Sequence, residues 1–358
     1  MNKKSRKLYL FFTNAITYNT FLISMAKKLK QDFNIVLCTK NPNKIISKEF
    51  FKEKFFFPQK IIDFKYVRQL FKSVKKVLMF VKKPNENIIF CHTPVASHFV
   101  RLATFLKKPN IVYFVHGFRF NDSRNKIYNF FFKSIEIFLS KNTTSYITIN
   151  NSDYKFVKKI LKKPVIKVNG IGLEKKVKIK NKKNKNYFIV GMIGAYRKNK
   201  GYEVVIRNFK KIKQLIPNLK IETYGYDDTR RLNKLIKEER INDIEINKFE
   251  KRILNKIINF DILLHPSYRE GRSVSIMQSL QYGIPVIARN IPGNKDLIKN
   301  NFNGYLFDNE VEMLNSLKKI YLNNNLRKRL SQNASKIITN NYLKDSINEK
   351  IKRFIIQF

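Results

Sequence analysis

The residues best suited to chemistry lie in one polar loop of the C-terminal half. Glu270 follows the apolar run 262–265 and precedes a segment at 273–282 whose apolar residues have helical spacing. The first N–H groups of such a helix, together with its dipole, favour a phosphate. The segment therefore predicts a carboxylate beside an anion-binding helix terminus, an arrangement open to many α/β proteins. The candidate ligand-binding residues here are Gly271, Arg272, Ser273, Val274 and Gln278.

The histidines and acidic pairs give little support for a metal site. The chain has four histidines, with no H-x-x-x-H and no D-x-D spacing. Asp227 and Asp228 follow an apolar strand, where two solvated loop carboxylates are the simpler interpretation. His265 precedes a proline at a strand end and is expected to be structural. His92 and His116 each follow an apolar run, where a buried structural histidine is the default.

Short apolar runs alternate with longer amphipathic segments, a pattern typical of βαβ units around a parallel sheet. Strands are predicted in the first half at 8–12, 34–38, 87–91, 111–115, 145–149 and 165–168. Strands are predicted in the second half at 187–193, 220–224, 243–246, 262–265 and 285–288. Neither half contains a G-x-G-x-x-G or a P-loop, which argues against dinucleotide and ATP sites.

A stretch rich in Lys and Asn separates these two series of strands. It has little to bury and is predicted to be an exposed linker between two α/β domains. Two such domains form a cleft, and ligands of open α/β sheets bind at the carboxyl ends of the strands. The predicted divisions are 1–172, the linker 173–186, 187–340 and a terminal helix at 341–358.

The loop of Glu270 carries a specific resemblance. It resembles the nucleotide-diphosphosugar motif of glycosyltransferase family 4, the retaining GT-B enzymes. The matching residues are Ser267, Glu270, Gly271, Gly283, Pro285 and Val286. Further matching segments follow in the family's order at 92–96, 113–120, 147–154, 168–172, 194–201, 292–298 and 303–307. The N-terminal segments are similar to a subgroup that builds bacterial capsule, exopolysaccharide and O-antigen repeat units.

The resemblance implies an α/β fold of the GT-B type, with two Rossmann-like domains facing each other across a cleft. Glu270 matches the glutamate that contacts the transferred sugar, and Lys200 matches the lysine that neutralises the departing diphosphate. His116 matches a histidine that contacts the sugar and phosphate region. The resemblance further implies that 1–172 binds the acceptor and that 187–340 binds the nucleotide sugar. The terminal helix is then expected to cross back to the N-terminal domain.

Two positions depart from the family pattern and put donor affinity in question. Gln278 stands where a second glutamate grips the ribose hydroxyls, and an amide keeps one acceptor oxygen without the charge. Ala195 stands where an arginine commonly follows the glycine of the first C-terminal strand. Arg197, two residues later, is a candidate to supply the missing cation.

The formal net charge of +47 has two open explanations. Compositional bias can fill solvated positions with lysine, or the charge can draw the protein to an anionic membrane. No apolar run reaches the roughly 18 residues that span a bilayer. Aromatic residues at 128–138 are predicted to be core, although 130–132 beside Lys126, Lys133 and Lys141 have the composition of an interfacial helix. We expect a cytoplasmic protein, peripheral on the inner face of the bacterial cytoplasmic membrane.

These expectations combine into one function and one alternative. The first is retaining transfer of a hexosyl or N-acetylhexosaminyl group from a UDP-linked sugar to a polyprenyl-diphosphate-linked glycan, with no metal, no other cofactor and no specific nucleic acid. The alternative is a catalytically weakened GT-B-fold protein that binds polyanions, either nucleic acid or an anionic membrane. The charge, Gln278 and Ala195 motivate this alternative.

Overall fold

The computed structural model describes residues 6–57, 67–81, 87–121, 125–179 and 186–358. The chain divides into two units, the first running up to Gly172 and including Lys344–Phe358, the second comprising Leu173–Leu343. No helix among the described residues is long and apolar enough to cross a membrane.

The first unit is built around a parallel sheet with helices on both faces. Its strands are β1 Lys7–Phe11, β2 Asn34–Thr39, β3 Phe51–Lys54, β4 Asn87–His92, β5 Asn110–Val115, β6 Ser145–Thr148 and β7 Val165–Lys167. Its helices are α1 Ala15–Thr17, α2 Ile23–Leu29, α3 Val67–Phe80, α4 Pro94–Ala103, α5 Lys126–Ser140 and α6 Asn151–Phe156. The strand order within the described residues is β3-β2-β1-β4-β5-β6-β7. Leu8 and Leu10 are buried on one face and Tyr9 and Phe11 on the other, which explains why the strands read as continuous apolar runs.

The second unit repeats this design. Its strands are β8 Phe188–Ile193, β9 Leu219–Tyr224, β10 Ile244–Asn247, β11 Ile262–His265, β12 Val286–Arg289 and β13 Gly304–Phe307. Its helices are α7 Tyr202–Arg207, α8 Phe209–Leu215, α9 Arg230–Glu238, α10 Leu254–Ile257, α11 Val274–Gln281, α12 Pro292–Lys295, α13 Glu310–Leu322 and α14 Asn324–Ile337. The strands are parallel, in the order β10-β9-β8-β11-β12-β13 within the described residues. The predicted fold class, two Rossmann-like α/β domains, is confirmed.

The last helix, α15 Lys344–Ile355, belongs to the first unit. It packs against α2, and Ile351 and Ile355 are buried in the core beneath that helix. The chain passes between the units at 172–173 and again at 343–344, whereas the predicted divisions lay after 172, 186 and 340, with 173–186 as a separate linker. The difference arises because Leu173 is buried in the core of the second unit and its N–H donates to Tyr342 O at 2.8 Å.

Two strands were not predicted from the sequence. The edge strand β3 is short, and Phe51 at its start is exposed, so it lacks a buried apolar run. The other, β13, begins at Gly304, where a Cβ would lie 1.9 Å from Val286 O on the neighbouring strand. A glycine at this close approach weakens the strand signal although the pairing requires it.

Candidate functional site

Glu270 lies at the carboxyl-terminal edge of the second sheet, in the loop between β11 and α11. Its Oε1 accepts a hydrogen bond from Lys200 Nζ at 2.5 Å and lies 3.0 Å from His265 Nε2. Lys200 lies in the turn after β8, and His265 is the last residue of β11. Because β8 and β11 are neighbours in the sheet, residues 70 positions apart meet at one carboxylate.

The cluster keeps Glu270 ionised although its side chain is only 12% exposed. Burial alone raises the pKa of this carboxyl, but the charge of Lys200 and the hydrogen bond from His265 outweigh burial and hold the pKa well below its usual range. An ionised carboxylate only accepts hydrogen bonds, so His265 Nε2 must carry a proton. Within the described residues Oε2 has no protein donor, and it can accept from a sugar hydroxyl.

Main-chain contacts hold the loops of Lys200 and Glu270 together. Asn199 O accepts hydrogen bonds from Tyr268 N at 2.8 Å and from Ser267 Oγ at 3.2 Å. Gly201 has a φ of +74°, and a Cβ there would lie 2.5 Å from Pro266 O. Both the left-handed backbone and the lack of space therefore require glycine beside Lys200.

The loop of Glu270 is also braced from β12 and α12. Arg289 Nε donates to Pro266 O at 3.1 Å, and its guanidinium carbon lies 4.2 Å from the ring centroid of Tyr268. Gly293 approaches from the other side, where a Cβ would lie 2.7 Å from Glu270 O. These contacts fix the loop backbone, and they position the carboxylate before any ligand arrives.

The helix that follows the loop has the predicted form. Ser273 is the N-cap of α11, and its Oγ accepts from Ile276 N at 3.4 Å. Val274 and Gln278 lie one turn apart on a partly exposed face. Gln278 makes no side-chain hydrogen bond within the described residues. The helix start and this amide can therefore receive a ligand, and their role in donor binding stays a prediction.

Two arginines predicted to bind the ligand form ion pairs with carboxylates of the protein. Arg272, which follows Gly271 in the loop, is buried, and its terminal nitrogen lies 2.8 Å from Asp296 Oδ2, so its guanidinium anchors the loop to the end of α12. Arg197 is exposed, and its Nε donates to Asp227 Oδ2 at 2.6 Å. That hydrogen bond raises the pKa of Arg197. To replace the arginine missing at Ala195, Arg197 must first leave Asp227.

The acidic loop pair has no metal-binding geometry. Asp227 pairs with Arg197, and Asp228 accepts hydrogen bonds from Arg230. In the part of the chain that the structure describes, no group of three or more His, Cys, Asp or Glu side chains is arranged to hold a metal ion. The loop position of these carboxylates agrees with the simpler interpretation made from the sequence.

His116 belongs to the first unit, where it follows β5, and it pairs with His92 at the end of β4. His92 Nδ1 lies 3.1 Å from His116 Nε2. Burial lowers the pKa of His116 to about 4 and, with the proximity of His116, lowers that of His92, so both rings are neutral at neutral pH. His92 Nε2 is buried without a partner among the described residues. Because both rings are neutral, one of the two facing nitrogens donates and the other accepts.

Comparison with known proteins identifies the chain. Residues 8–151 match the profile of the family described as glycosyl transferase 4-like, and residues 174–337 match glycosyl transferases group 1. The two matches follow each other along the chain, and each lies within one of the two units. This chain is a glycosyltransferase of the GT-B fold.

Individual relatives of this glycosyltransferase agree. It is 28% identical over 281 residues to the UDP-Gal:alpha-D-GlcNAc-diphosphoundecaprenol alpha-1,3-galactosyltransferase of Escherichia coli, covering 70% of each chain. It is 23% identical over 309 residues to the capsular polysaccharide biosynthesis glycosyltransferase CapM of Staphylococcus aureus, covering 78% of this chain and 79% of CapM. Anabaena HepE, solved with UDP and glucose, has the same fold at a TM-score of 0.75 and 16% identity, over 99% of this chain and 100% of HepE.

The sequence pattern did not anticipate several contacts of the candidate site. His265, expected to be structural, is buried, and its Nε2 lies 3.0 Å from the Glu270 carboxylate. Its position at a strand end, five residues before Glu270, was the available signal. Asn199 contributes its backbone carbonyl, and Arg289 stacks on the ring of Tyr268 and donates to Pro266 O. The residue type alone therefore predicts neither role.

Proposed function

We propose that this glycosyltransferase moves a hexosyl or N-acetylhexosaminyl group from a UDP-sugar to a polyprenyl-diphosphate-linked glycan, with retention of configuration. The E. coli relative is named for a UDP-sugar donor and a diphosphoundecaprenol-linked acceptor, and CapM for capsular polysaccharide. The reaction then takes place at the inner face of the cytoplasmic membrane, in the assembly of a surface polysaccharide. No metal or other cofactor enters the proposal.

The cluster of Glu270, Lys200 and His265 carries this proposal. When the bond between the sugar and the diphosphate breaks, negative charge grows on the departing phosphate. Lys200 and the N–H groups at the start of α11 are the cations and dipoles that stabilise it. Glu270 Oε2 accepts a hydrogen bond from a hydroxyl of the transferred sugar and holds the sugar ring in place. The acceptor oxygen bonds to the anomeric carbon on the same face, and its proton passes to the departing phosphate.

Turnover and UDP binding by purified variants test these roles separately. With a UDP-sugar and a lipid-linked acceptor, Glu270→Ala is expected to lose at least about 100-fold in turnover, because the transferred sugar loses the carboxylate that accepts its hydrogen bond. Lys200→Ala is expected to lose saturable UDP binding as well. Lys198→Ala, an exposed lysine two residues away, is the matched control and keeps both. Wild-type turnover in Glu270→Ala would show that the catalytic assignment is wrong.

The alternative, a polyanion-binding protein without activity, receives no support from these relatives. Separate titrations of UDP and single-stranded nucleic acid at about 0.15 M salt distinguish the two. Tight nucleic-acid binding with a steep salt dependence and no UDP binding favours the alternative. Saturable UDP binding that depends on Lys200 favours the enzyme.

A further inference from the structure

Helix α5 buries a carboxylate and exposes large apolar side chains, the reverse of an ordinary surface helix. Its inward face carries Glu136 and Leu139, both buried. Its outward face carries large apolar side chains, with Ile127 81% exposed and Phe130 73% exposed. The sequence pattern predicted that the aromatic residues of 128–138 form core, and for Tyr128, Phe130, Phe131 and Phe138 that prediction is wrong. An ordinary amphipathic helix buries its apolar stripe, so this stripe has no partner within the described part of its unit.

The exposed stripe continues onto the turn that follows α4. The rings of Phe138 on α5 and Phe105 in that turn stack with centroids 4.8 Å apart. Leu106, next in the chain, is 91% exposed. We call these residues together the outer apolar surface: Leu102, Leu106, Ile127, Phe130, Phe131 and Phe138. A contiguous apolar patch of this kind marks an interaction site in a folded protein.

Within the described residues, the charges around the outer apolar surface have one sign. The exposed lysines at its margins are Lys107, Lys108, Lys126, Lys133 and Lys141. Among the described residues of 94–167 the acidic side chains are Glu136 and Asp153, and both are buried. Exposed aromatic side chains ringed by lysines complement a leaflet of anionic lipid, which offers an apolar interior beneath a negative surface.

A buried ion-pair network holds α5 in this orientation. Glu136 Oε2 accepts from Arg101 at 2.9 Å, and Oε1 lies 2.8 Å from His98 Nε2. Both partners lie on α4, and Arg101 has no exposed surface. Turning the apolar stripe inward would break this pairing and leave the Arg101 charge buried without its partner. The outward direction of the stripe is therefore imposed by the fold.

We propose that the outer apolar surface inserts into the headgroup region of an anionic bilayer, with α5 lying in the membrane plane. A second copy of this chain fits the surface less well, because two such faces would oppose like-charged lysine rims. The proposal rests on exposure and charge alone. Only its purpose, holding the enzyme beside a lipid-linked acceptor, rests on the proposed function.

Vesicle sedimentation of the full chain, without donor or acceptor, tests the proposal. Vesicles of phosphatidylcholine with phosphatidylglycerol are expected to bind wild-type protein at least about tenfold more tightly than phosphatidylcholine alone. The double variant Ile127→Ser/Phe130→Ser is expected to lose about tenfold or more in binding to the mixed vesicles. Replacing Lys107 and Lys141 by Gln is expected to reduce the preference for the anionic lipid.

The matched control is Phe51→Ser/Leu322→Ser, an exposed aromatic and an exposed aliphatic residue outside the surface, which should bind vesicles as wild type does. UDP binding by Ile127→Ser/Phe130→Ser, measured in parallel, should be unchanged, so a failure of the membrane proposal is distinguishable from a failure of the enzymatic one. Vesicle binding by this variant at wild-type strength overturns the proposal. So does a wild-type dimer in sedimentation velocity that the same variant abolishes, because a second copy then covers the surface.

Discussion

At the scale of single residues, the site depends on a carboxylate whose surroundings decide its charge. Glu270 is almost enclosed, and an enclosed carboxyl without partners takes up a proton. Lys200 and His265 prevent this by donating to the same oxygen, Oε1. The arrangement leaves Oε2 as an oriented acceptor. A charged group fixed in advance in this way does not need to reorganise when substrate binds.

The close approach at Gly201 gives a prediction at this scale. In Gly201→Ala the new Cβ meets Pro266 O and must adopt a left-handed backbone, so the loop of Lys200 moves away from Glu270. We expect the free energy of unfolding to fall by about 1–2 kcal/mol. Turnover is expected to fall much further than this loss of stability explains. Urea unfolding and turnover with a UDP-sugar measure the two effects.

The control for this prediction is Gly283→Ala. Gly283 has a φ of +73°, nearly the same as Gly201, but the closest atom to its Cβ is Ser331 O at 3.2 Å, far along the chain from either loop. The backbone strain is therefore matched while the contact differs. Equal loss of turnover in the two variants would contradict the role assigned to the loop contact.

At the scale of elements, a buried ion-pair network joins α4 and α5. Burial alone raises the pKa of Glu136. The charge of Arg101 and the hydrogen bond with His98 outweigh burial and lower the pKa to about 2. The tyrosine rings of Tyr113 and Tyr146, on β5 and β6, face the same charges. With its folded pKa below the ordinary value, the carboxylate stabilises the fold above pH 4.5, and this contribution is lost as the pH falls toward about 2.

The pH dependence of Glu136→Gln tests this junction. Near neutral pH the variant leaves Arg101 buried without a counter-charge, and we expect it to lower the free energy of unfolding by about 3–5 kcal/mol. The difference from wild type should shrink as the pH approaches about 2, because the wild-type carboxyl then becomes neutral as well. Urea unfolding followed across this range measures it. The partly exposed pair of Glu349 with Lys28 supplies the control, since Glu349→Gln should change little at any pH. A pH-independent effect of Glu136→Gln contradicts the assignment.

At the scale of the whole molecule, the chain builds two cores and closes the first with its last helix. Each sheet is covered on both faces by its own helices, and the apolar clusters of the two units share no residue. Ile347, Ile351 and Ile355 of α15 are buried with α2, so the core of the first unit is incomplete without this helix. The stability of the first unit therefore depends on residues far away in sequence.

Hydrogen exchange of two neighbouring variants tests this dependence. Ile355 is fully buried and Ile356 is 37% exposed. Ile355→Ala is expected to cost about 2–5 kcal/mol and to speed amide exchange in β1 and β4 of the first unit. Exchange in β8 and β11 should stay at the wild-type rate, and Ile356→Ala should change neither sheet. Equal acceleration in both sheets would mean that the two cores unfold together.

The sequence alone was sufficient for the fold class and for the loop of Glu270. The strands of a parallel sheet covered on both faces are nearly continuous apolar runs, and such runs can be recognised directly in the sequence. The loop of Glu270 and the helix start after it are local in the chain, so spacing predicted both, and the resemblance to a known family singled out Glu270 within the loop. The resemblance identified Lys200 together with its neighbour Gly201, and the close approach to Pro266 explains why that neighbour is a glycine.

Only the tertiary structure decided which groups meet. Pairing between Lys200, His265 and Glu270 depends on β8 lying next to β11, and strand order is not encoded in local spacing. Arg272 was predicted to bind ligand as a cation, and only the fold shows that Asp296 lies beside its guanidinium. The aromatic stripe of α5 has the helical spacing of a core, and its outward direction follows from one buried carboxylate, Glu136, held by α4. Periodicity reports that a stripe exists, whereas the contacts made by the opposite face decide which side is buried.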